Sequence, residues 1–276
     1  METPYVIIPC AGFGKRFKDE GYVQEKPLIE VGGKRLIDWS LASLKPLRYR
    51  PVFVVRPAQA QIIKEAMWSI VLATGDEERD PIADVMVLPG PTQGAACSVL
   101  AAAVGLPPDA PVLIMNADQW FKIGEQSRFP GDTGEGALGV NEWDRVSDIA
   151  DVHRYAVRHE WAGFILTFPG KGPAWSYAVT NGTNRVVHVI EKKQVSDFAT
   201  VGVYWWRRAA DLVRSICAMI AVGQKTNKEF YLAPSFNFLP LSDKNVQIVP
   251  VEEFMGLGTP EQVRAFEARL KEGWTP

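Results

Sequence analysis

The residues best suited to chemistry cluster near the start of the chain. A β-branched run, Tyr5-Val6-Ile7-Ile8-Pro9, leads into Ala11-Gly12-Phe13-Gly14-Lys15-Arg16-Phe17, and Lys26-Pro27-Leu28-Ile29 follows. A strand that ends in a glycine-rich turn presents bare backbone N–H groups that a polyphosphate can approach closely. Arg16 and Lys26 bracket that turn with positive charge, which is what a nucleoside triphosphate needs. A Gly-x-Gly after a strand is by itself as well explained by a tight turn, but that reading leaves the two cations unexplained. A second group follows the apolar run Val112-Leu113-Ile114-Met115 as Asn116-Ala117-Asp118-Gln119. A carboxylate after a strand is often a helix cap. On a sheet that also carries the glycine loop, Asp118 reads better as a magnesium ligand, because Mg2+ takes one or two carboxylates together with phosphate oxygens.

The elements that must position these groups alternate. After the first strand and its loop, the pattern predicts a helix over 35–44, a buried strand over 51–55, a helix over 59–72 and a strand over 84–88. A helix over 94–104 and a strand over 111–115 complete the series, whose periodicities switch between helix and strand. Such alternation argues for a parallel sheet covered by helices. Ligands of such sheets sit beyond the carboxyl ends of the strands, where the glycine loop and Asp118 both fall. Beyond this half the signals are mixed. A glycine-rich loop is expected over 131–139 and a polar, weakly helical insertion over 141–160. Strands follow over 163–168, 176–180, 186–190 and 200–206, with a hairpin turn at Asn181-Gly182-Thr183. A helix over 208–222, a shorter one over 230–239, a strand over 246–251 and a helix over 260–271 end the pattern. Thr259 is the expected cap of the last helix and Pro260 its first residue.

The chain has 276 residues, 47% of them hydrophobic, and a formal net charge of −2. That is enough for one large domain with a sizeable core. The expectation is a single domain over 1–276, with 1–120 as a nucleotide-binding half and 121–276 as an acceptor-binding half, interrupted by an insertion at 131–160. The basic footprint of a nucleic-acid binder is missing. No apolar run reaches the roughly 18–20 residues of a membrane span, and no signal segment is visible, so the expected setting is cytoplasmic, without a membrane partner. Cys10, Cys97 and Cys217 are widely spaced and read as small hydrophobes in a reducing compartment. His153, His159 and His188 make no zinc-type spacing with them.

Six segments in order resemble the nucleotidyltransferase superfamily of sugar-phosphate and phosphocholine pyrophosphorylases. They are the glycine–arginine loop, Lys26-Pro27-Leu28, Gly94-Ala95-Ala96, Asn116-Ala117-Asp118, Glu191-Lys192, and 196–204 together with Gly258-Thr259-Pro260. Within it the chain is most similar to a capsule-biosynthesis branch, some members of which are cytidylyltransferases, through Gly94-Ala95-Ala96-Cys97, Asn116-Ala117-Asp118-Gln119, Trp175-Ser176-Tyr177, Ala199-Thr200-Val201-Gly202 and Glu229-Phe230-Tyr231. The resemblance implies an α/β fold: a Rossmann-like three-layer α/β/α mixed sheet of the nucleotide-diphospho-sugar transferase type. It implies a magnesium-dependent enzyme that moves a nucleoside monophosphate from a triphosphate, CTP favoured, to a small phosphorylated acceptor with release of pyrophosphate. Arg16, Lys26 and Asp118 would be catalytic, with Asp118 on the metal. Ala11, Gly12, Gly14, Lys15, Arg16, Gln93, Gly94 and Ala95 would bind the nucleotide, and Trp175, Glu191, Lys192 and Glu229 the acceptor. Self-association as a homo-oligomer is left open.

Two departures stand out against that pattern. Lys15 occupies a place where Ser or Thr is common. A second metal carboxylate is expected two residues before Gly258-Thr259, where this chain has Gly256, so Asp197, Glu252 or Glu253 would have to substitute, or water and phosphate complete the shell. Two other readings follow. A nucleotide-sugar glycosyltransferase shares the core but usually carries Asp-x-Asp, and here Trp120 stands two residues after Asp118. A non-catalytic nucleotide-sensing relative would tolerate the missing carboxylate. A dehydrogenase fits poorly, since its fingerprint needs a glycine where Phe17 stands and an acidic residue where Val55-Arg56 stand.

Overall fold

Among the described residues nine strands form one mixed sheet whose two halves run under different rules. The computed structural model describes residues 2–60, 63, 84–124, 146–239 and 245–275. In the first half, β1 (Tyr5–Pro9) lies between β4 (Arg50–Val55) and β6 (Val112–Met115), parallel to both, and β5 (Asp84–Val87) extends the edge beyond β4. Val6, Ile7, Ile8, Phe53, Val54 and Ile114 are fully buried, as expected of parallel strands covered on both faces. In the second half, β11 (Phe198–Trp206) runs antiparallel to β6, to β8 (Gly163–Pro169) and to β9 (Ser176–Thr180). Outside these lie β10 (Val186–Glu191), antiparallel to β9, and β12 (Val246–Pro250), parallel to β8. The β6–β11 pair is therefore the seam between a parallel and an antiparallel region.

The strands expected at 163–168, 176–180, 186–190 and 200–206 are present, with only small shifts at their ends. The helices α3 (Ala95–Ala103), α5 (Ala209–Ala221) and α6 (Pro260–Lys271) also match their sequence patterns. Ile149–Arg158, within the polar stretch 141–160, is the helix α4, and its Ile149, Val152, His153 and Ala156 are buried, the three apolar ones in the main core. The short helix expected over 230–239 is a 3-10 turn, Ala233–Phe238, in which Pro234 removes a backbone donor that an α-helix would use. Most of 59–72, and all of 131–139 and 141–145, lie outside the described residues. Among the described residues no helix is long and apolar enough to cross a membrane.

A second, smaller core carries the site. Phe17, Ile29, Val31, Leu36, Trp39, Trp120, Leu257, Val263 and Phe266 are buried together. They join five pieces: α1 (Lys15–Asp19), the hairpin of β2 (Glu30–Val31) and β3 (Lys34–Arg35), α2 (Leu36–Ala42), the ribbon of β7 (Gln119–Lys122) with β13 (Glu253–Gly256), and α6. Trp39 donates its indole N–H to the Val31 carbonyl at 3.0 Å, closing the hairpin on α2. Ser40 on α2 and Ser43 just after it accept the backbone N–H groups of Gln119 and Phe121 at 3.1 and 2.9 Å, which fixes the strand that follows Asp118.

Candidate active site

The carboxyl ends of β1 and β6 lie side by side, because Ile7 is in register with Ile114. The glycine loop leaves from one end and Asn116-Ala117-Asp118 from the other. Gly14 has φ +61°, in the left-handed region, and this lets α1 begin immediately with Lys15 and Arg16. Two side chains from beyond β4 hold the loop. Arg56 donates to the Ala11 carbonyl at 3.0 Å and to a Glu25 carboxylate oxygen at 2.6 Å. The buried Gln59 amide donates to the Cys10 carbonyl and to Glu25, both at 3.0 Å. Glu25 directly precedes Lys26, so the same network sets the start of the loop and the backbone of the lysine.

Lys26 and Asp118 meet. The Nζ of Lys26 donates to Oδ2 of Asp118 at 2.5 Å, with both side chains about a quarter exposed. Cys10 is buried beside the pair, and burial, with the Asp118 charge adding to it, pushes its thiol up to about 12, so it stays protonated and inert at neutral pH.

Two cavities open on this pair. One, of about 580 Å³, is lined by Ala11, Gly12, Phe13, Gly94 and Glu229, among others. The other, of about 360 Å³, is lined by Arg16, Trp175, Ser176, Glu191, Lys192 and Tyr231, among others. Lys26, Ala95, Asn116 and Asp118 line both and form their common wall.

The far wall of the smaller cavity is a set of short polar contacts. Ser176 on β9 donates to the carboxylate of Glu191 at the end of β10. The Thr200 and Tyr204 hydroxyls are 2.9 Å apart. Burial raises Glu191 above the ordinary carboxylate range, although the Ser176 hydroxyl and the Lys192 charge oppose this. Burial, with the carboxylates of Glu229 and Glu191 adding to it, pushes Tyr231 up to about 12. Lys192 adopts φ +56°, donates its N–H to the Trp175 carbonyl at 2.9 Å, and holds its ammonium 5.0 Å from the Tyr231 ring centre. Trp175 and Phe254 pack edge to face at 5.6 Å, with Phe168 against both. Gly202, φ +92°, sits in a register shift of β11 and accepts the Asn116 N–H at 3.2 Å.

The sequence-predicted residues thus fall into place unevenly. Arg16, Lys26, Asp118, Trp175, Glu191 and Lys192 converge on one cavity, and Ala11, Gly12, Gly94 and Ala95 on the shared or neighbouring one. Gly14 lies behind Lys26, with space for a Cβ only 3.1 Å from the lysine Cβ. Glu229 borders the glycine-loop cavity rather than the one holding Glu191. Lys15 lines neither cavity. Gln93 is turned outward, where its side-chain oxygen accepts from Lys225 at 2.7 Å. Of the substitutes for a second carboxylate, Glu252 pairs with Lys122 at 3.4 Å and Glu253 with Arg269 at 2.8 Å; neither they nor Asp197 line the cavity with Asp118. Among the described residues no three His, Cys, Asp or Glu gather as a metal site. Sequence reasoning missed Glu25, Arg56 and Gln59, whose roles depend on contacts 31 to 49 residues apart.

Residues 6–123 match the MobA-like NTP transferase domain, so the matched part spans β1 to the end of β7. Solved structures extend the likeness over the whole chain. A nucleoside-diphosphate-sugar pyrophosphorylase from Vibrio cholerae superposes with a TM-score of 0.72 at 21% identity, covering 95% of this chain and 99% of that one. Residues 6–123 are thus similar to an NTP transferase domain, and the whole chain shares the fold of these structures. A UDP-glucose pyrophosphorylase complexed with UDP-glucose gives 0.69 at 11% identity, over 99% of this chain and 100% of that one. An inositol-1-phosphate CTP transferase from T. maritima gives 0.63 at 12% identity, over 100% of this chain and 99% of that one. No curated protein matches the chain in sequence. The fold is accordingly the Rossmann-like α/β/α type of the nucleotide-diphospho-sugar transferases.

Proposed function

We propose that the chain transfers a nucleoside monophosphate from a nucleoside triphosphate to a small phosphorylated acceptor, releasing pyrophosphate. The observation that carries this reading is the common wall of the two cavities. A triphosphate along the glycine loop and a phosphate held near Lys192 would both face Lys26 and Asp118. An oxygen of the acceptor phosphate attacks the α-phosphorus, the bond to the β-phosphate oxygen breaks, and its electron pair leaves with pyrophosphate. Such transfers need positioning and charge neutralisation more than covalent help. The resemblance assigns the planar fork of Arg16 to the departing pyrophosphate, and the side chain lines the smaller cavity next to Lys26. Lys26 lies where donor and acceptor phosphates meet and exchanges its Asp118 partner for them. Glu191, held by Ser176, accepts hydrogen bonds from the acceptor's hydroxyls, and Lys192 faces its phosphate.

Asp118 is the residue that would hold Mg2+, in keeping with the ion's preference for one or two carboxylates plus phosphate oxygens. The bound ion would add neutralising charge on the phosphates. CTP as donor and a product destined for capsule or other surface polysaccharide rest on the resemblance in sequence. A cytoplasmic setting fits such substrates. The buried Trp120 in the position of a second Asp-x-Asp carboxylate favours nucleotidyl over glycosyl transfer.

A thermal-shift panel of CTP, UTP, GTP, ATP and dTTP, each with and without Mg2+, tests the reading. One triphosphate, with Mg2+, should stabilise the fold by about 2.7 kcal/mol at about a hundred times its dissociation constant. Acceptors are then screened by pyrophosphate release. A panel in which no triphosphate shifts the transition overturns the proposal.

A further inference from the structure

The place beside Asp118 where the resemblance puts a second carboxylate is lined by amides. Gly256 pairs with Gln119 across the β7–β13 ribbon. A Cβ built on Gly256 would lie 2.7 Å from Nε2 of Gln262, so the glycine leaves room for that amide. The orientation of Gln262 is set by its other branch. Its Oε1 accepts the N–H groups of Gly258 and Thr259 at 2.9 and 3.1 Å, completing a capping box at the start of α6. Nε2 is thereby turned away from the helix, and among the described residues no protein atom accepts from it. Gln119 is only 3% exposed, and its Nε2 also has no partner among the described residues. A buried amide donor with no protein acceptor is costly to leave unpaired and gains from an oxygen supplied by a ligand. Both glutamines, with Gly256, Gly258 and Asp118, line the smaller cavity.

We infer that Gln119 and Gln262 form a neutral two-donor clamp for an oxygen of the acceptor's phosphate, in the position a second metal carboxylate would otherwise fill. The inference rests on the nucleotidyl-transfer reading. Its chemistry is consistent with the charge at the site: the reacting phosphates are anionic, and an amide pair next to Asp118 binds them without adding negative charge. The helix start contributes little of its own, because the N–H groups of Thr259 and Gln262 are already taken, by the Gln262 side chain and the Thr259 hydroxyl.

Gln262→Glu separates capping from clamping, since a carboxylate accepts the same two backbone N–H bonds but donates none. The probe is inorganic phosphate, titrated calorimetrically without magnesium into wild type, Gln262→Glu and Gln119→Met. The expected result is phosphate affinity lowered about tenfold or more in Gln262→Glu, and lowered also in the neutral Gln119→Met, with the ligand-free melting temperature of Gln262→Glu unchanged. Equal affinity in wild type and Gln262→Glu, or no phosphate affinity in wild type, overturns the clamp. The triphosphate panel is a separate measurement, so a wild type that binds a triphosphate while Gln262→Glu leaves the phosphate titration untouched removes the clamp and spares the transfer reading.

Discussion

On the glycine-loop side of Lys26 the cavity is lined by the main chain and small side chains of Ala11, Gly12 and Gly94, and among the described residues no cation lines it besides the shared Lys26. On the Glu191 side it offers side chains already bonded to or packed on one another: Ser176 to Glu191, Thr200 to Tyr204, and Trp175 against Phe254. The first surface suits a group every nucleoside triphosphate carries. The second is fixed before any ligand enters, and discrimination comes from fixed polar groups that a wrong ligand leaves unpaired. The common wall belongs to neither style, since Lys26 and Asp118 are a charged pair. On the proposed reading, selectivity resides mainly on one side: triphosphate binding should tolerate change on the loop, and acceptor choice should be sensitive to single atoms on β9, β10 and β11.

Four experiments, in falling order of effect, put that contrast at risk. Removing the common wall by Lys26→Ala or Asp118→Ala should lower kcat by about two to three orders of magnitude, with melting temperatures close to wild type. Near-normal turnover in a folded variant would remove that residue from the chemistry. Next, Gly202→Ala attacks the rigid wall through its backbone. A Cβ there would strike the side chains of Asn116 and Gln119 while keeping φ +92°. It should cost about 2–4 kcal/mol, seen as a melting transition several degrees lower, together with weakened acceptor binding.

Glu191→Gln tests the same wall without disturbing packing and should raise the acceptor KM about tenfold, leaving the KM for the triphosphate within about twofold. Its stability profile carries a sign. Burial raises Glu191 in the folded state, so the native form holds its proton to higher pH than the unfolded chain. Stability associated with this group is full below the ordinary carboxylate range and falls as pH rises through the raised value. An amide cannot ionise, so Glu191→Gln should match or exceed wild type in stability near neutral pH, and the difference should close in acid. A difference that widens in acid would contradict the assignment. The smallest effect is expected on the loop. Lys15→Ser should change triphosphate affinity no more than about twofold, since Lys15 lines neither cavity and an exposed ion contact contributes little.

Much of this could be read from the sequence because its signals are local. The buried strands 5–9 and 112–115, the alternation of 163–206, and Thr259-Pro260 before a helix each depend on neighbours a few residues away. What was not legible depends on distance along the chain. The β7–β13 ribbon joins residues far apart in sequence through two strands of four residues each, too short for a periodic signal. The Lys26–Asp118 pair spans 92 residues. Both members are recognisable in sequence as chemistry-bearing, but their contact is not. Gln262 did leave a local trace: Thr259 followed three residues later by Gln is a capping-box spacing. That trace announces a helix cap and says nothing of the amide branch near Gly256, which only the fold brings to the cavity that holds Asp118.

The ribbon also constrains anyone who would re-engineer the protein by cutting and splicing. The MobA-like match ends at residue 123, which invites its use as a portable module. Yet β13 completes β7, Leu257 donates its N–H to the Asp118 carbonyl at 2.8 Å, and Val263 and Phe266 share the core with Trp120. A chimaera that grafts a foreign continuation onto residues 1–123 must keep the native 253–270 segment, or Asp118, the proposed catalytic carboxylate, loses its floor.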